Sequence, residues 1–245
     1  MFKWFHRFAH PEYLYHFLGQ CFPWILGIAL FGLIFGLGLG LFFAPSDYQQ
    51  GHAYRIIFLH VPVAAMSLSI YAMMATSAFI GQVWQIKLAD LAAISMAPIG
   101  AMMTFLALLS GAIWGKPTWG TWWVWDARLT SELILLFLYL GILALYAAFE
   151  DKKVACKATA LLMIIGVINL PIVKFSVDWW NSLHQPNALT VGKSNAMPIE
   201  MLLPLLLSFV GLFFLSIALI IQQYRLEILY RYALKQWVKD VVIKL

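Results

Sequence analysis

Residues 23–43 read PWILGIALFGLIFGLGLGLFF, a run of twenty-one residues without a charged side chain. About 20 mostly apolar residues suffice for a helix to cross a bilayer, so this run predicts a membrane span. Five further runs are also long and predominantly apolar, and the six predicted spans are approximately 23–43, 57–83, 91–113, 129–149, 154–173 and 199–221. Lipid offers no hydrogen-bond partners, so each span must satisfy its backbone internally as a helix. The sequence predicts an all-α membrane protein, a six-transmembrane-helix bundle.

The composition supports a membrane protein and excludes several other classes. Of 245 residues, 63% are hydrophobic and 11% are charged, against about 45–50% and 25% in soluble domains. These values exclude a disordered chain, a nucleic-acid-binding domain and an ordinary soluble enzyme. We expect one integral membrane domain over residues 1–245, with four segments outside the spans: an interfacial N-terminal segment 1–22, a Trp-rich external loop 114–128, an external loop 174–198 and a cytoplasmic tail 222–245.

The distribution of Lys and Arg predicts the orientation. With six spans, both termini lie on one side, and that side holds eleven of the sixteen basic residues. Because basic residues accumulate on the cytoplasmic side, both termini are predicted to be cytoplasmic. The net charge of +5 then reflects topology and membrane lipid, with no nucleic acid as partner. Cys21 and Cys156 lie near the reducing face, so no disulfide is expected.

The external side is rich in tryptophan. Residues 114–126 read WGKPTWGTWWVWD and contain five tryptophans. An aromatic belt at the membrane surface is one explanation. The other is a platform for a large, planar, apolar ligand. If the stretch from Trp119 is helical, then Trp122, Trp123 and Asp126 share its face by their spacing.

Three histidines lie on the same external side. His60 lies about one turn into the second span, where a titratable residue indicates function, and His184 follows the aromatic segment after the fifth span. His52 lies in a polar run. Neutral imidazole is a normal axial ligand of haem iron, so His60 and His184 are candidates for a ligand pair, although a structural role for either stays open.

The chain closely resembles a family of tryptophan-rich, haem-handling membrane proteins that mature c-type cytochromes. The member family that it resembles is cytochrome c maturation protein C, also called haem exporter protein C. The resemblance spans nearly the whole chain. It rests on WGTWWVWD at 119–126, YQQG at 48–51, LHVP at 59–62, DARLTSE at 126–132 and SLHQ at 182–185.

The resemblance implies a function and a set of residues. The protein would sit in the bacterial inner membrane and hold haem b at the periplasmic face, with His60 and His184 as axial ligands. The macrocycle would be cradled by Trp114, Trp119, Trp122, Trp123, Trp125 and Asp126. Haem would pass to a periplasmic haem chaperone, which becomes covalently attached to it. The implied partners also include a small single-span membrane protein and the subunits of an ABC transporter.

Several assignments within this interpretation stay open. We propose Arg55 and Arg128 as partners of the haem propionates, since guanidinium groups pair well with carboxylates; the alternative is that both are interfacial charges. Asp126 is also a candidate N-cap of the fourth span. Glu132 could pair with Arg128 one turn away.

Three other functions compete with haem delivery. One is a haem-translocating permease subunit, another is a b-type cytochrome electron carrier, and the third is a scaffold with an aromatic belt. No nucleophile–base pair and no phosphate-binding loop is evident, which argues against a hydrolase or ATPase. The expected contribution to haem attachment is orientation of the reacting groups.

Overall fold

The computed structural model describes residues 5–180, 182, 184 and 197–243. Within these ranges the chain forms helices α1 (Phe5–Phe8), α2 (Pro11–Gly38), α3 (Ile57–Trp84), α4 (Lys87–Trp119), α5 (Ala127–Ala148), α6 (Lys152–Gly166), α7 (Asn169–Trp179), α8 (Ile199–Arg231) and α9 (Gln236–Ile243). A π-helical turn, Leu39–Phe43, extends α2, and a 3-10 turn, His52–Ile56, leads into α3. Six helical stretches are long and apolar enough to cross a membrane, which confirms the predicted fold class.

The spanning helices extend beyond the apolar runs from which they were predicted. The first begins at Pro11 instead of residue 23, and the last continues to Arg231 instead of residue 221. Hydropathy marks only the part of a helix inside the hydrocarbon, whereas backbone hydrogen bonding continues into the polar interface. Four residues of the predicted N-terminal segment (1–4), most of the predicted external loop (181, 183 and 185–196) and the last two residues lie outside the described residues.

The first and last spans pack as a close pair, α2 against α8. A Cβ atom on Gly32 would lie only 2.6 Å from the backbone nitrogen of Gly211. The absence of side chains at both positions therefore lets the two backbones touch, as is common between membrane helices. This pair packs on α3 and α4 through Leu33 and Leu212.

The main core lies between α3, α4, α5 and α6. Tyr71 and Tyr139 are fully buried there, with ring centroids 5.0 Å apart in an edge-to-face arrangement. The Tyr139 hydroxyl donates to the Ser67 carbonyl over 2.8 Å. These large side chains fill the bundle interior in its central part.

The fifth span is broken into α6 and α7 at Val167–Ile168. Pro171 follows the break and has no N–H to bond the carbonyl four residues earlier, which accounts for the interruption. The Asn169 amide donates to the Ser131 carbonyl over 2.9 Å and ties α7 to α5. We call the end of the bundle that carries the Trp-rich segment 114–126 the Trp end. Three helices start there (α3, α5 and α8), and three end there (α2, α4 and α7).

Candidate functional site

A cavity of about 240 Å³ lies at the Trp end, between α3, α4, α5, α7 and α8. Its wall is mostly apolar, with charged and imidazole groups added from several helices. The lining residues that matter below are His60, Ala107, Gly111, Trp114, Gly115, Trp119, Arg128, Glu132, Lys174, His184 and Phe209. A cavity with an apolar wall and a few convergent polar groups is typical of a ligand-binding site.

Helix α4 shapes one wall through small residues at helical spacing. Ala107, Gly111 and Gly115 recur every fourth residue and all line the cavity. A Cβ atom on Gly111 would lie 3.0 Å from Cε1 of His60, and one on Gly115 would lie 2.9 Å from Cε3 of Trp119. The two glycines therefore leave the room that these rings occupy.

His60 is buried in the first turn of α3 and is held by two residues of α4. Its Nδ1 lies 3.1 Å from the Ser110 hydroxyl oxygen. The indole of Trp114 packs edge-to-face against it, with centroids 5.6 Å apart. Trp114 is itself anchored, because its Nε1 donates to Gln50 over 2.8 Å. The imidazole is thus fixed on the Nδ1 side, and Nε2 is the ring nitrogen that Ser110 does not engage.

His184 reaches the cavity from the segment after α7. Its backbone N–H donates to the Ser182 hydroxyl oxygen over 3.0 Å, and the Ser182 hydroxyl donates to Asp126. Asp126 also caps α5, since its other carboxylate oxygen accepts from the Leu129 N–H over 2.8 Å. The start of α5 therefore positions the histidine segment, and Trp119 lies beside the ring, with centroids 6.1 Å apart.

The two imidazole rings lie close together. Their centroids are 6.1 Å apart, and their planes are inclined by 37°. With a nitrogen–metal bond of about 2 Å and a ring nitrogen about 1 Å from its centroid, two imidazoles on opposite sides of one metal atom have centroids about 6 Å apart. The spacing is therefore compatible with two histidines that bind one haem iron as a pair.

Comparison with known proteins places the chain in a family. Residues 4–239 match the family described as "Heme exporter protein C". The chain belongs to this haem exporter protein C family.

Individual relatives agree with the family match. A protein of Haemophilus influenzae named "Heme exporter protein C" is 52% identical over 98% of this chain and 97% of its own length. A protein of the same name from Escherichia coli strain K12 is 49% identical over 100% and 98%. A "Putative cytochrome c biosynthesis ccmC-like mitochondrial protein" of Marchantia polymorpha is 44% identical over 78% and 81%.

The tryptophans of this family member divide into two groups. Trp114 and Trp119 line the cavity. Trp122 and Trp125 are exposed, and Trp123 is half-buried with its ring edge-to-face against Trp125. The Trp123 Nε1 is buried and has no hydrogen-bond partner among the described residues. The tryptophans predicted to cradle the macrocycle thus lie partly in the cavity wall and partly at an exposed rim, and their role stays a prediction.

The condition on which the sequence placed Trp119, Trp122, Trp123 and Asp126 on one face, a helix continuing from Trp119, is not met. Helix α4 ends at Trp119, and Gly120 adopts a left-handed conformation with φ of 78°. Glycine reaches this region without steric cost and commonly ends helices there. Residues 120–126 are non-helical, so Trp119, Trp122 and Asp126 do not form one helical face.

The two predicted propionate partners occupy different positions. Arg128 lines the cavity. The Arg55 guanidinium donates to the carbonyls of Leu41 and Ala44 over 2.9 and 2.5 Å, so it ties the end of the first span to the start of the second. Glu132 accepts a hydrogen bond from the Ser67 hydroxyl over 2.8 Å, which gives this buried carboxyl group a partner on α3.

Sequence reasoning missed four residues of the site. Ser110 and Gly111 contact His60, Gln50 anchors Trp114, and Lys174 adds a second cation to the cavity wall. A helical projection of 107–118 could have found Ser110 and Gly111, since they lie one turn before Trp114. Gln50 and Lys174 come from a loop and from the second half of a broken span, and local pattern does not relate either of them to His60.

Proposed function

We propose that this protein holds haem b at the periplasmic face of the bacterial inner membrane and delivers it to a periplasmic haem chaperone during maturation of c-type cytochromes. The observation that carries the proposal is the 6.1 Å spacing of the His60 and His184 rings across the cavity. The names of the relatives from Haemophilus influenzae and Escherichia coli, which describe a haem exporter, support the same cargo. A small single-span protein and ABC transporter subunits are the proposed membrane partners.

The residues of the site suit a carrier that must later release its cargo. His60 is buried and contacts Ser110 and Trp114, whereas His184 comes from a segment outside the bundle helices. Trp114 and Trp119 supply flat apolar surface beside the two imidazoles, and indole rings stack well on planar aromatic groups. Trp122 and Trp125 remain at the exposed rim, where a chaperone can reach the ligand edge.

The carrier's contribution to haem attachment is orientation. The proposed bond joins a histidine nitrogen of the chaperone to a haem vinyl group. The N–H adds across the vinyl C=C bond, the nitrogen bonding to one carbon and the hydrogen passing to the other, so no residue of this chain acts as nucleophile. Holding both reactants in the reactive geometry lowers the entropic part of the activation barrier, because less translational and rotational freedom is lost in the reaction step. The apolar wall also keeps water away from the bound macrocycle.

Arg128 and Lys174 are the cations best placed for the haem propionates, because both line the cavity. Binding by Arg55 stays a prediction, since its guanidinium already donates to two backbone carbonyls.

We expect Arg128→Ala to weaken haem retention by about tenfold, as loss of a charge-assisted hydrogen bond typically does. Retention is measured as the rate of haem transfer to a soluble apo-haem protein. The control is Lys116→Ala, whose exposed ammonium group donates to the Gly120 carbonyl; equal effects of both variants would contradict the assignment.

The permease alternative has one structural feature in its favour, which is the broken fifth span. Interrupted helices near the middle of the membrane often bind transported substrates. Here the Asn169 side chain satisfies the Ser131 carbonyl beside the break, and the cavity reaches no deeper than Leu68 and Glu132. Beyond them the core of Tyr71, Met74 and Tyr139 is fully buried. These observations favour a binding platform at one face.

The absorption spectrum of the purified protein tests the proposal. We expect wild-type protein to carry haem with a low-spin bis-histidine spectrum, and His60→Ala and His184→Ala each to lose that signature. The matched control is His52→Ala, because His52 lies in the 3-10 turn before α3 and does not line the cavity. Retention of the low-spin spectrum in either ligand variant would refute that residue's assignment.

A transfer assay distinguishes delivery from electron transfer. Haem-loaded protein is mixed with the purified chaperone, and covalent haem on the chaperone is followed by denaturing electrophoresis. Delivery predicts a covalent adduct that depends on His60 and His184. Reversible reduction by quinol without an adduct would favour the b-type cytochrome instead.

A further inference from the structure

The hydroxyl group of Ser110 has two kinds of neighbour. Its oxygen lies 2.6 Å from the Leu106 carbonyl and 3.2 Å from the Ala107 carbonyl on its own helix. It also lies 3.1 Å from Nδ1 of His60, which belongs to α3. Both Ser110 and His60 are buried, at 4% and 9% exposure, so water does not compete for these bonds.

The two carbonyl contacts indicate which group donates. A serine hydroxyl has one proton and two acceptor lone pairs, and a carbonyl oxygen can only accept. The shortest contact, to Leu106, therefore uses the single proton. The Ser110 oxygen is then free to accept from His60, and the Ala107 carbonyl is a second acceptor beside the same imidazole. Both acceptors favour the neutral tautomer that carries its hydrogen on Nδ1. In that tautomer the lone pair available to a metal is on Nε2.

We propose that Ser110 is a positioning residue that holds His60 in the Nδ1–H tautomer and strengthens Nε2 as an iron ligand. This inference rests on the proposed function, in which His60 binds haem iron. A ligating histidine usually donates its second N–H to a neighbouring acceptor, which fixes the ring and raises the basicity of the ligand. Trp114 and Gly111 bound the ring on other sides, and the Ala107 carbonyl is its second hydrogen-bond acceptor. Ser110 is the side chain that contributes a hydrogen-bond acceptor to this ring.

Three other buried hydroxyl groups in the described helices lack the second contact that Ser110 makes. Ser95, Thr104 and Ser216 each donate to the carbonyl four residues earlier, as Ser110 does. None of these three bonds involves a histidine. In these three bonds the hydroxyl group donates to a carbonyl of its own helix. The Ser110 hydroxyl does the same, and its oxygen also contacts a histidine on another helix.

The test compares three variants of the full-length, haem-loaded protein. Ser110→Ala removes the acceptor, Ser110→Thr keeps it, and Ser95→Ala removes a back-bonded hydroxyl group from the same helix without touching the site. Two quantities are measured: the rate at which haem leaves for a soluble apo-haem protein, and the midpoint reduction potential of the bound haem.

Ser110→Ala is expected to release haem about tenfold faster, the loss typical when a ligand's hydrogen-bond partner is removed. Its midpoint potential should shift to a more positive value, because a weaker donor stabilises ferric iron less. Ser110→Thr and Ser95→Ala should match wild type in both measurements. A merely structural role of Ser110 would not move the potential.

The outcomes separate this inference from the proposed function. If His60→Ala keeps the low-spin spectrum, His60 is not a ligand, and both the proposed site and this inference fail. If His60 is required but Ser110→Ala has the wild-type potential and release rate, only the inference about Ser110 is overturned. Should Ser110→Ala not accumulate, Ser110→Cys provides a weaker acceptor of similar size, and a wild-type potential in that variant would equally overturn it.

Discussion

A single carboxylate, that of Asp126, connects two parts of the candidate site. The sequence left open whether this residue caps a helix or contacts haem. In the structure it caps α5 through the Leu129 N–H and accepts from Ser182, two residues before His184. The residue that caps α5 therefore also positions the segment that carries His184.

We expect Asp126→Ala to lower both stability and haem occupancy. Loss of an N-cap costs about 1 kcal/mol of unfolding free energy, and loss of the Ser182 bond releases the segment that carries His184. Asp151→Ala is the matched control, since Asp151 caps α6 through the Lys153 N–H at the opposite end of the bundle. Both variants should unfold at similarly lowered temperatures. The low-spin haem absorbance should decrease only in Asp126→Ala. Equal haem content in the two would contradict the link to Ser182.

The absent side chain of Gly111 is as important as the side chains around it. An added Cβ atom would lie 3.0 Å from Cε1 of His60, which is closer than ordinary packing, so the ring must shift. We expect Gly111→Ala to reduce haem occupancy by about tenfold, since ligand geometry depends on such neighbours. In Gly141→Ala the new methyl group would meet Leu162 at 3.7 Å, an ordinary contact, and haem occupancy should be unchanged. If Gly111→Ala keeps the wild-type haem occupancy, the prediction is wrong, because the cavity wall would then accommodate the added methyl group.

Among the helices, α4 contributes most to the site because it combines a face of small residues with an abrupt end. Its small residues at 107, 111 and 115 admit the rings of His60 and Trp119. The left-handed Gly120 then turns the chain away, so the following tryptophans leave the helical face. One helix thus separates the cavity wall from the exposed rim.

The contact between α2 and α8 depends on glycine at the crossing point. We expect Gly32→Leu to lower the thermal unfolding temperature, since overpacking at a backbone contact costs about 1–3 kcal/mol. The matched control is Gly27→Leu on the same helix, where an added Cβ atom has no neighbour within 4 Å. If the two variants unfold at the same temperature, close approach at Gly32 does not stabilise the pair.

For the bundle as a whole, the proposed orientation places the Trp end in the periplasm. Thiol labelling tests it in a background of Cys21→Ser and Cys156→Ala. Thr121 and Lys153 are exposed and lie at opposite ends of the bundle. We expect Thr121→Cys to react with a membrane-impermeant maleimide in intact cells, and Lys153→Cys to react only after permeabilisation. The reverse pattern would place both termini in the periplasm and remove the basis for delivery to a periplasmic chaperone.

Much of the architecture could be predicted from the sequence because membrane insertion depends on local composition. A run such as 23–43 is apolar whatever surrounds it, and the cost of exposing backbone groups to lipid leaves helix as the only solution. The candidate ligand His60 was also visible locally, as a titratable residue inside an apolar run. The aromatic density of 114–125 identified the end of the bundle that carries the site.

Tertiary packing decides which residues line the cavity. The 6.1 Å approach of His60 and His184 requires α3 and the segment after α7 to meet, and no local pattern encodes that meeting. Ser110 and Lys174 join the candidate site for the same reason, and the hydrogen bonds of Arg55 to the carbonyls at the end of the first span are likewise contacts between distant parts of the chain. Hydropathy depends on each side chain alone, whereas a binding site depends on how helix faces are rotated against one another. That rotation is set by glycine contacts, helix ends and buried hydrogen bonds between residues far apart in the chain.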